Sequence, residues 1–230
     1  MEHYYTRRPT STQPPRVVTS VVDGETLRFW VSSGVFSARR VDPGSQLLLS
    51  AVTVEEGGRI LDLGCGYGFI GIGLALKNPS SRVVMVDINE RAVELAQRNA
   101  SMHNVRQRMS IYVGDGLSAV AVDPPFSTIV TNPPVRVGKA LIHQWFAAAP
   151  TYLTPGGSLW LVLRKQQGAA SMQRSLSRWF AQVRLVSKRS GYRVLQASLS
   201  KLGEAFALGD CDGNEKRGGL HGCQDDSMWS

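Results

Sequence analysis

The residues of this chain that could do chemistry lie in a few short runs. The first is Leu61-Asp62-Leu63-Gly64-Cys65-Gly66-Tyr67-Gly68. A β-prone apolar run precedes the glycines and a helix-forming run follows them, so a ligand can approach the backbone closely at a strand's carboxyl end. The spacing is G-x-G-x-G. A dinucleotide fingerprint needs a glycine at position 69, where this chain has Phe69, so the loop suits a ligand with no pyrophosphate. Asp87 ends the next β-prone run, 23 residues after Gly64, where a carboxylate can accept from both hydroxyls of a ribose. Asp115, in Gly114-Asp115-Gly116 after a third run, is placed to accept from an adenine amine.

The fourth run is Thr131-Asn132-Pro133-Pro134-Val135. Prolines carry no N–H, so positions 133 and 134 offer carbonyl acceptors only, and Pro133 biases Asn132 toward extended backbone. The Asn132 side-chain oxygen and the Pro133 carbonyl form a stiff pair of acceptors for an NH₂ group. An aromatic amine is a poor nucleophile because its lone pair is delocalised. Two acceptors on its hydrogens favour a pyramidal nitrogen and stabilise the charge it gains on attack. Taken singly, each feature has a plainer reading: a tight strand–helix turn, a loop or cap residue, a proline-stiffened loop. Their recurrence at successive strand ends of one sheet favours chemistry.

The elements that must position these residues can be read from periodicity. Val17–Val22 and Glu25–Trp30 flank Asp23-Gly24, which predicts a β-hairpin over 17–31 after an extended lead-in, 1–16. A short helix is expected over Ser45–Val52 with Leu47 and Leu48 inward. From residue 59 strands and helices alternate: strands near 60–63, 82–86, 110–113, 127–130 and 158–163, and helices near 68–77, 89–103, 139–149 and 169–180. Two closing strands, 182–188 and 192–199, meet at Ser190-Gly191. The pattern predicts an α/β domain over 1–200 with a largely parallel sheet covered on both faces. Residues 201–230, with six glycines and no apolar period, are expected to be a disordered tail.

Composition narrows the function classes. No apolar stretch approaches the roughly 18 residues of a membrane span, and the polar start lacks a signal-peptide core. A cytoplasmic protein is expected. Three cysteines make no disulfide framework, and Cys211, His221 and Cys223 lack metal-site spacing, so no metal is expected. Residues 1–200 hold 23 Lys and Arg against 12 Asp and Glu, whereas the last thirty hold 3 against 6. Nineteen of the 23 are arginine, suited to phosphate and base contacts. A polyanionic partner such as RNA and a generally Arg-rich composition both account for this.

Together, Leu61–Gly68, Asp87, Asp115 and Asn132–Val135 resemble the class I S-adenosylmethionine-dependent N-methyltransferases. More narrowly, the chain resembles the small-domain family of ribosomal RNA guanine-N2 methyltransferases. The features carrying this are His3-Tyr4-Tyr5, Gly34-Val35-Phe36-Ser37, Asp42-x-Gly44-Ser45-x-Leu47-Leu48, Pro133-Pro134-x-Arg136-x-Gly138-Lys139 and Gln167-Gly168-Ala169, over about residues 3–199. Larger members add an N-terminal degenerate copy of the catalytic domain. The resemblance implies a Rossmann-like fold with a seven-stranded sheet whose last strand is antiparallel. It implies S-adenosylmethionine as cofactor, held by Asp62, Gly64, Cys65, Gly66, Tyr67, Gly68, Asp87, Ile88, Asp115, Gly116 and Asn132. Asn132, Pro133 and Pro134 would be catalytic, while Phe36, Val135, Arg136 and Lys139 would meet a guanine of 16S ribosomal RNA or the small subunit. Arg164, Lys165, Lys188, Arg189 and Arg193 are further basic candidates. The alternatives are methylation of a protein glutamine amide and a non-catalytic S-adenosylmethionine- or RNA-binding module.

Overall fold

The computed structural model describes Arg7 and residues 14–37, 40–122, 124–133 and 138–201. The expected hairpin forms from β1 (Arg16–Val22) and β2 (Glu25–Val31). Asp23 and Gly24 both have positive φ, 49° and 86°, the twist a two-residue turn needs to match its strands. Then follow α1 (Pro43–Ala51), β3 (Arg59–Leu63), α2 (Phe69–Lys77), β4 (Arg82–Asp87), α3 (Glu90–Met102), β5 (Met109–Val113) and β6 (Phe126–Thr131). The chain continues through α4 (Lys139–Tyr152), β7 (Leu153–Arg164), α5 (Ala169–Leu176), β8 (Gln182–Arg189) and β9 (Tyr192–Ser198).

The sheet has seven strands in the order β5-β4-β3-β6-β7-β9-β8. Its first five strands are parallel, and β9 runs antiparallel to both β7 and β8. The expected Rossmann-like α/β architecture with an antiparallel last strand is therefore present. Period-2 side chains split the core into two layers. Ile60, Val83, Met85, Val130 and Val162 face α1–α3 and the hairpin. Leu61, Leu63, Val84, Ile129 and Leu161 face α4 and α5.

Several boundaries differ from expectation. Helix α1 starts at Pro43, because Asp42 caps it by accepting from Ser45 N at 2.8 Å and proline suits the first turn. That frame buries Leu48 and Leu49 and leaves Leu47 at the margin of the core. Strand β7 begins five residues early, through an irregular pairing of Phe126 with Leu153. Helix α5 ends at Leu176 rather than near 180; its final carbonyls are satisfied by turn bonds from Ser177 and Arg178. The tail expectation falls on residues that, apart from Lys201, lie outside those described, as do Cys211, His221 and Cys223. Among the described residues no helix is long and apolar enough to cross a membrane, and no cluster of metal-ligand side chains occurs.

Candidate active site

Strand order reverses direction between β3 and β6, and an open parallel sheet binds ligands at that switch point. The glycine loop leaves β3 there and Asn132 leaves β6. Thr131 Oγ1 donates to the Leu63 carbonyl at 2.8 Å, tying the two strand ends together. One cleft is lined by Phe36, Ser45, Gly64, Gly66, Tyr67 and Asn132, with Ser37, Cys65, Phe69 and Ile70. Residues predicted from runs far apart in the sequence thus share one pocket.

The glycine wall is shaped by backbone bonds. Gly64 N and Cys65 N both donate to the Val86 carbonyl, at 2.9 and 3.0 Å. Gly66 N donates to Asp87 Oδ2 at 2.8 Å and Asn89 N to Oδ1 at 2.9 Å. Burial raises the Asp87 pKa, and those two N–H bonds oppose the rise. Gly64 (φ 73°) and Gly66 (φ 56°) have no atom within 4 Å of where a Cβ would stand, so their faces are open to a ligand. Gly68 (φ 90°) differs: a Cβ there would stand 2.9 Å from Ile72 Cδ1 and 3.3 Å from the Ala96 Cβ. It serves the approach of α2 to α3.

Asp62 lies beneath the loop rather than in the cleft. It is fully buried, its Oδ2 accepts from Gly71 N at 2.8 Å, and Oδ1 has no partner. Burial pushes its pKa up to about 7, against the Gly71 bond and with help from the Asp87 charge. Its bond from Gly71 N supports the first turn of α2. Burial likewise raises the Cys65 thiol, which stays neutral. Asp115 is exposed beyond β5 and Ile88 is half-buried beside Asp87. Gly116 has φ 61° and no room for a Cβ, because the Trp145 indole of α4 lies against it.

The opposite wall is made of side chains. Asn132 Nδ2 donates to Asp42 Oδ2 at 3.0 Å and to Ser45 Oγ at 2.9 Å. With both amide hydrogens committed, Oδ1 is the atom left to accept. Asp42 Oδ1 accepts from the Tyr192 hydroxyl at 3.2 Å, and that hydroxyl accepts from Arg164 Nη2 at 2.8 Å. Gly44 makes the arrangement possible, since a Cβ there would stand 2.6 Å from Tyr192 Cε1. Phe36 reaches the same cleft on the loop after β2, which is docked by Asn89 Nδ2 onto the Gly34 carbonyl at 2.7 Å. Pro133 is buried; Pro134, Val135, Arg136 and the Lys139 side chain lie outside the described residues.

Sequence reasoning missed Trp145, Tyr192 and the linkage of Asp42 and Ser45 to Asn132. The one available signal was Asp42-Pro43 with Ser45, a capping pattern whose second use is invisible without the fold.

A Rossmann-like sheet with a glycine loop after β3 and Asn132-Pro133 after β6, across its switch point, fits the methyltransferase class. The chain belongs to the methyltransferase small-domain family, which it matches over residues 26–196. It is 39% identical over 197 residues to the uncharacterized protein YbxB of Bacillus subtilis, covering 85% of this chain and 98% of that one. It is 37% identical over 145 residues to ribosomal RNA small subunit methyltransferase C of Hahella chejuensis, covering 61% of this chain and 41% of the relative. Among solved structures it is similar to the Thermus thermophilus 16S rRNA N2 G1207 methyltransferase (RsmC) in complex with AdoMet and guanosine. The TM-score is 0.72 at 29% identity, covering 83% of this chain and 52% of that one. The chain therefore spans about half the length of these ribosomal RNA methyltransferases.

Proposed function

We propose that the protein is an S-adenosylmethionine-dependent methyltransferase acting on the exocyclic N2 amine of a guanine in 16S ribosomal RNA, in the cytoplasm, on free RNA or the small subunit. The observation that carries this is Asn132: its amide is fixed by Asp42 and Ser45, and Oδ1 is left as an acceptor beside Gly64 and Gly66. The likeness to a structure that binds AdoMet and guanosine supports the same reading.

The cleft fits the cofactor. Gly64 and Gly66 present open backbone where a Cβ would intrude, and each Asp87 oxygen, holding one N–H, keeps capacity for a ribose hydroxyl. Ile88 and the Asp115–Gly116 turn would flank the adenine, and Tyr67 and Cys65 the loop side. Bound there, S-adenosylmethionine supplies an electrophilic methyl group. Asn132 Oδ1 and the Pro133 carbonyl hold the two amine hydrogens, which turns the nitrogen lone pair out of conjugation and toward that methyl. Attack by the nitrogen would form the N–C bond as the methyl–sulfur bond breaks and the neutral thioether S-adenosylhomocysteine leaves. The nitrogen would become positive and both acceptors would gain strength, so transition-state binding would exceed ground-state binding. The surplus proton then passes to water, and no strong general base is needed. Phe36 supplies a face for the flipped base; Arg136 and Lys139, next to the turn, would meet its phosphates.

The test is mass spectrometry of ribosomal RNA nucleosides from cells with and without the protein. Loss of one N2-methylguanosine is expected. Unchanged N2-methylguanosine, with a methylglutamine lost from the proteome, would replace this substrate by a protein amide.

A further inference from the structure

A basic site lies beyond the cleft. The β8–β9 turn and the end of β7 enclose an open recess of about 250 Å³ that carries Lys165, Lys188, Arg189 and Arg193, and no acidic side chain lines it. The recess is built rather than incidental. Lys165 N donates to the Gly191 carbonyl at 2.8 Å, and Ser190 and Gly191 turn with φ of 48° and 80°. This fixes cations from two segments around one hollow. None of the four cations forms an ion pair among the described residues. Like charges so gathered repel, and a bound anion relieves that repulsion.

Its position says which anion. Tyr192 lines the recess and also donates to Asp42, whose other oxygen accepts from Asn132. A single carboxylate thus separates the recess from the group that would hold the target amine. At about 250 Å³ it falls below the roughly 300–1,000 Å³ of an enclosed small-molecule site, and cations rather than apolar side chains line it. Around Gly191 nothing lies within 4 Å of a virtual Cβ, so a ligand can approach the turn backbone.

We propose that this recess seats the phosphodiester backbone of the RNA strand that delivers the target base, anchoring it a short distance from the Asn132 cleft. This rests on the RNA reading given above. A flipped nucleotide needs its flanking phosphates held while its base is out of the stack, and the β8–β9 turn offers those contacts at the carboxyl end of the parallel strands, where Asn132 follows β6.

The experiment measures binding of a fluorescein-labelled single-stranded RNA 20-mer containing guanines across a range of chloride concentrations. The full chain, a Lys188→Gln/Arg189→Gln variant and an Arg82→Gln/Arg178→Gln control would be compared. Both control residues are exposed and lie outside the recess, Arg82 at the start of β4 and Arg178 after α5, and the change removes equal charge. The recess variant is expected to lose about 0.7 from the slope of log K against log salt for each phosphate contact removed. The control should keep the wild-type slope, and titrated S-adenosylmethionine should bind all three alike. Equal slopes in the two double variants overturn the proposal, as does wild-type binding of polyglutamate as tight as that of the RNA. A wild type that makes no N2-methylguanosine but shows the slope difference would refute the guanine assignment and leave this site standing.

Discussion

The two walls of the cleft are built by different means. On the glycine wall, carboxylates and carbonyls act on backbone N–H groups: Asp62 on Gly71, Asp87 on Gly66 and Asn89, Val86 on Gly64 and Cys65. On the Asn132 wall, side chains act on side chains: Arg164 on Tyr192, Tyr192 on Asp42, and Asn132 on both Asp42 and Ser45. The first wall is a shape, set by the path of its backbone. The second is an orientation, and each member depends on the chemistry of the next.

The sharpest break in that comparison is Asn132→Ala. It removes the acceptor and leaves the glycine wall untouched. Methyl transfer should fall by about 10²–10³, or on the order of 3–4 kcal/mol, with S-adenosylmethionine affinity nearly unchanged. Single-turnover rates beside a cofactor titration decide it: near wild-type turnover ends the acceptor mechanism, and lost cofactor binding would move Asn132 to the other wall.

Asp62 gives the glycine wall a pH signature near neutrality. Its folded pKa, pushed up to about 7, lies above the roughly 3.9 of an unfolded aspartate. The raised value means the neutral acid is the form the fold favours. That contribution is complete below about pH 4 and is lost as pH rises through 7. Asp62→Asn cannot ionise, so the stability of the native protein relative to this variant should fall by a few kcal/mol between pH 4 and pH 8. Urea unfolding at several pH values checks it; a pH-independent difference would mean that Asp62 is ionised throughout.

The glycines within that wall should part company. Gly66→Ala costs about 1–2 kcal/mol for its left-handed backbone and places a methyl in the open face, so cofactor affinity falls more than stability does. Gly68→Ala meets Ile72 and Ala96 and should show the reverse. Melting temperature and cofactor titration of the pair separate them; identical profiles would show that the two glycines share one role.

This contrast also explains what the sequence could reveal. Glycines, the Asp23-Gly24 and Ser190-Gly191 turns, and β-prone runs are local signals, so the alternating elements and the glycine wall were legible from spacing. Asp42 reaches Asn132 across 90 positions and Tyr192 across 150, and no periodicity encodes such a meeting. The same locality hid the roles of individual glycines and acids. Gly64 and Gly68 look alike in G-x-G-x-G, and Asp62 and Asp87 alike at strand ends, until packing shows which faces space and which faces core. The frame of α1 was misread by one position because Asp42 was not recognised as its cap.

The smallest effects test whether the Asn132 wall is a connected relay. Asp42→Asn keeps a good helix cap but replaces a carboxylate that accepts from Ser45 N, Asn132 Nδ2 and the Tyr192 hydroxyl with an amide offering one acceptor oxygen. Asn132 can then rotate, and the single-turnover rate should fall about tenfold, a loss of about 1.4 kcal/mol in orientation. Tyr192→Phe removes only the outer link. The ring still packs on Gly44, Arg164 loses an acceptor, and Asp42 loses one of its donors at 3.2 Å. A hydrogen bond to a carboxylate contributes about 1.5–3 kcal/mol, and only a fraction of that loss reaches Asn132, so a two- to fivefold fall in rate is expected. The effects are then tied by a double-variant cycle. If the relay is real, Tyr192→Phe should matter little once Asp42 is Asn, because the bond it supports is already weakened. Full additivity of the two rate losses would show that Tyr192 and Asp42 act independently, and that the wall is a set of neighbours rather than a chain of command.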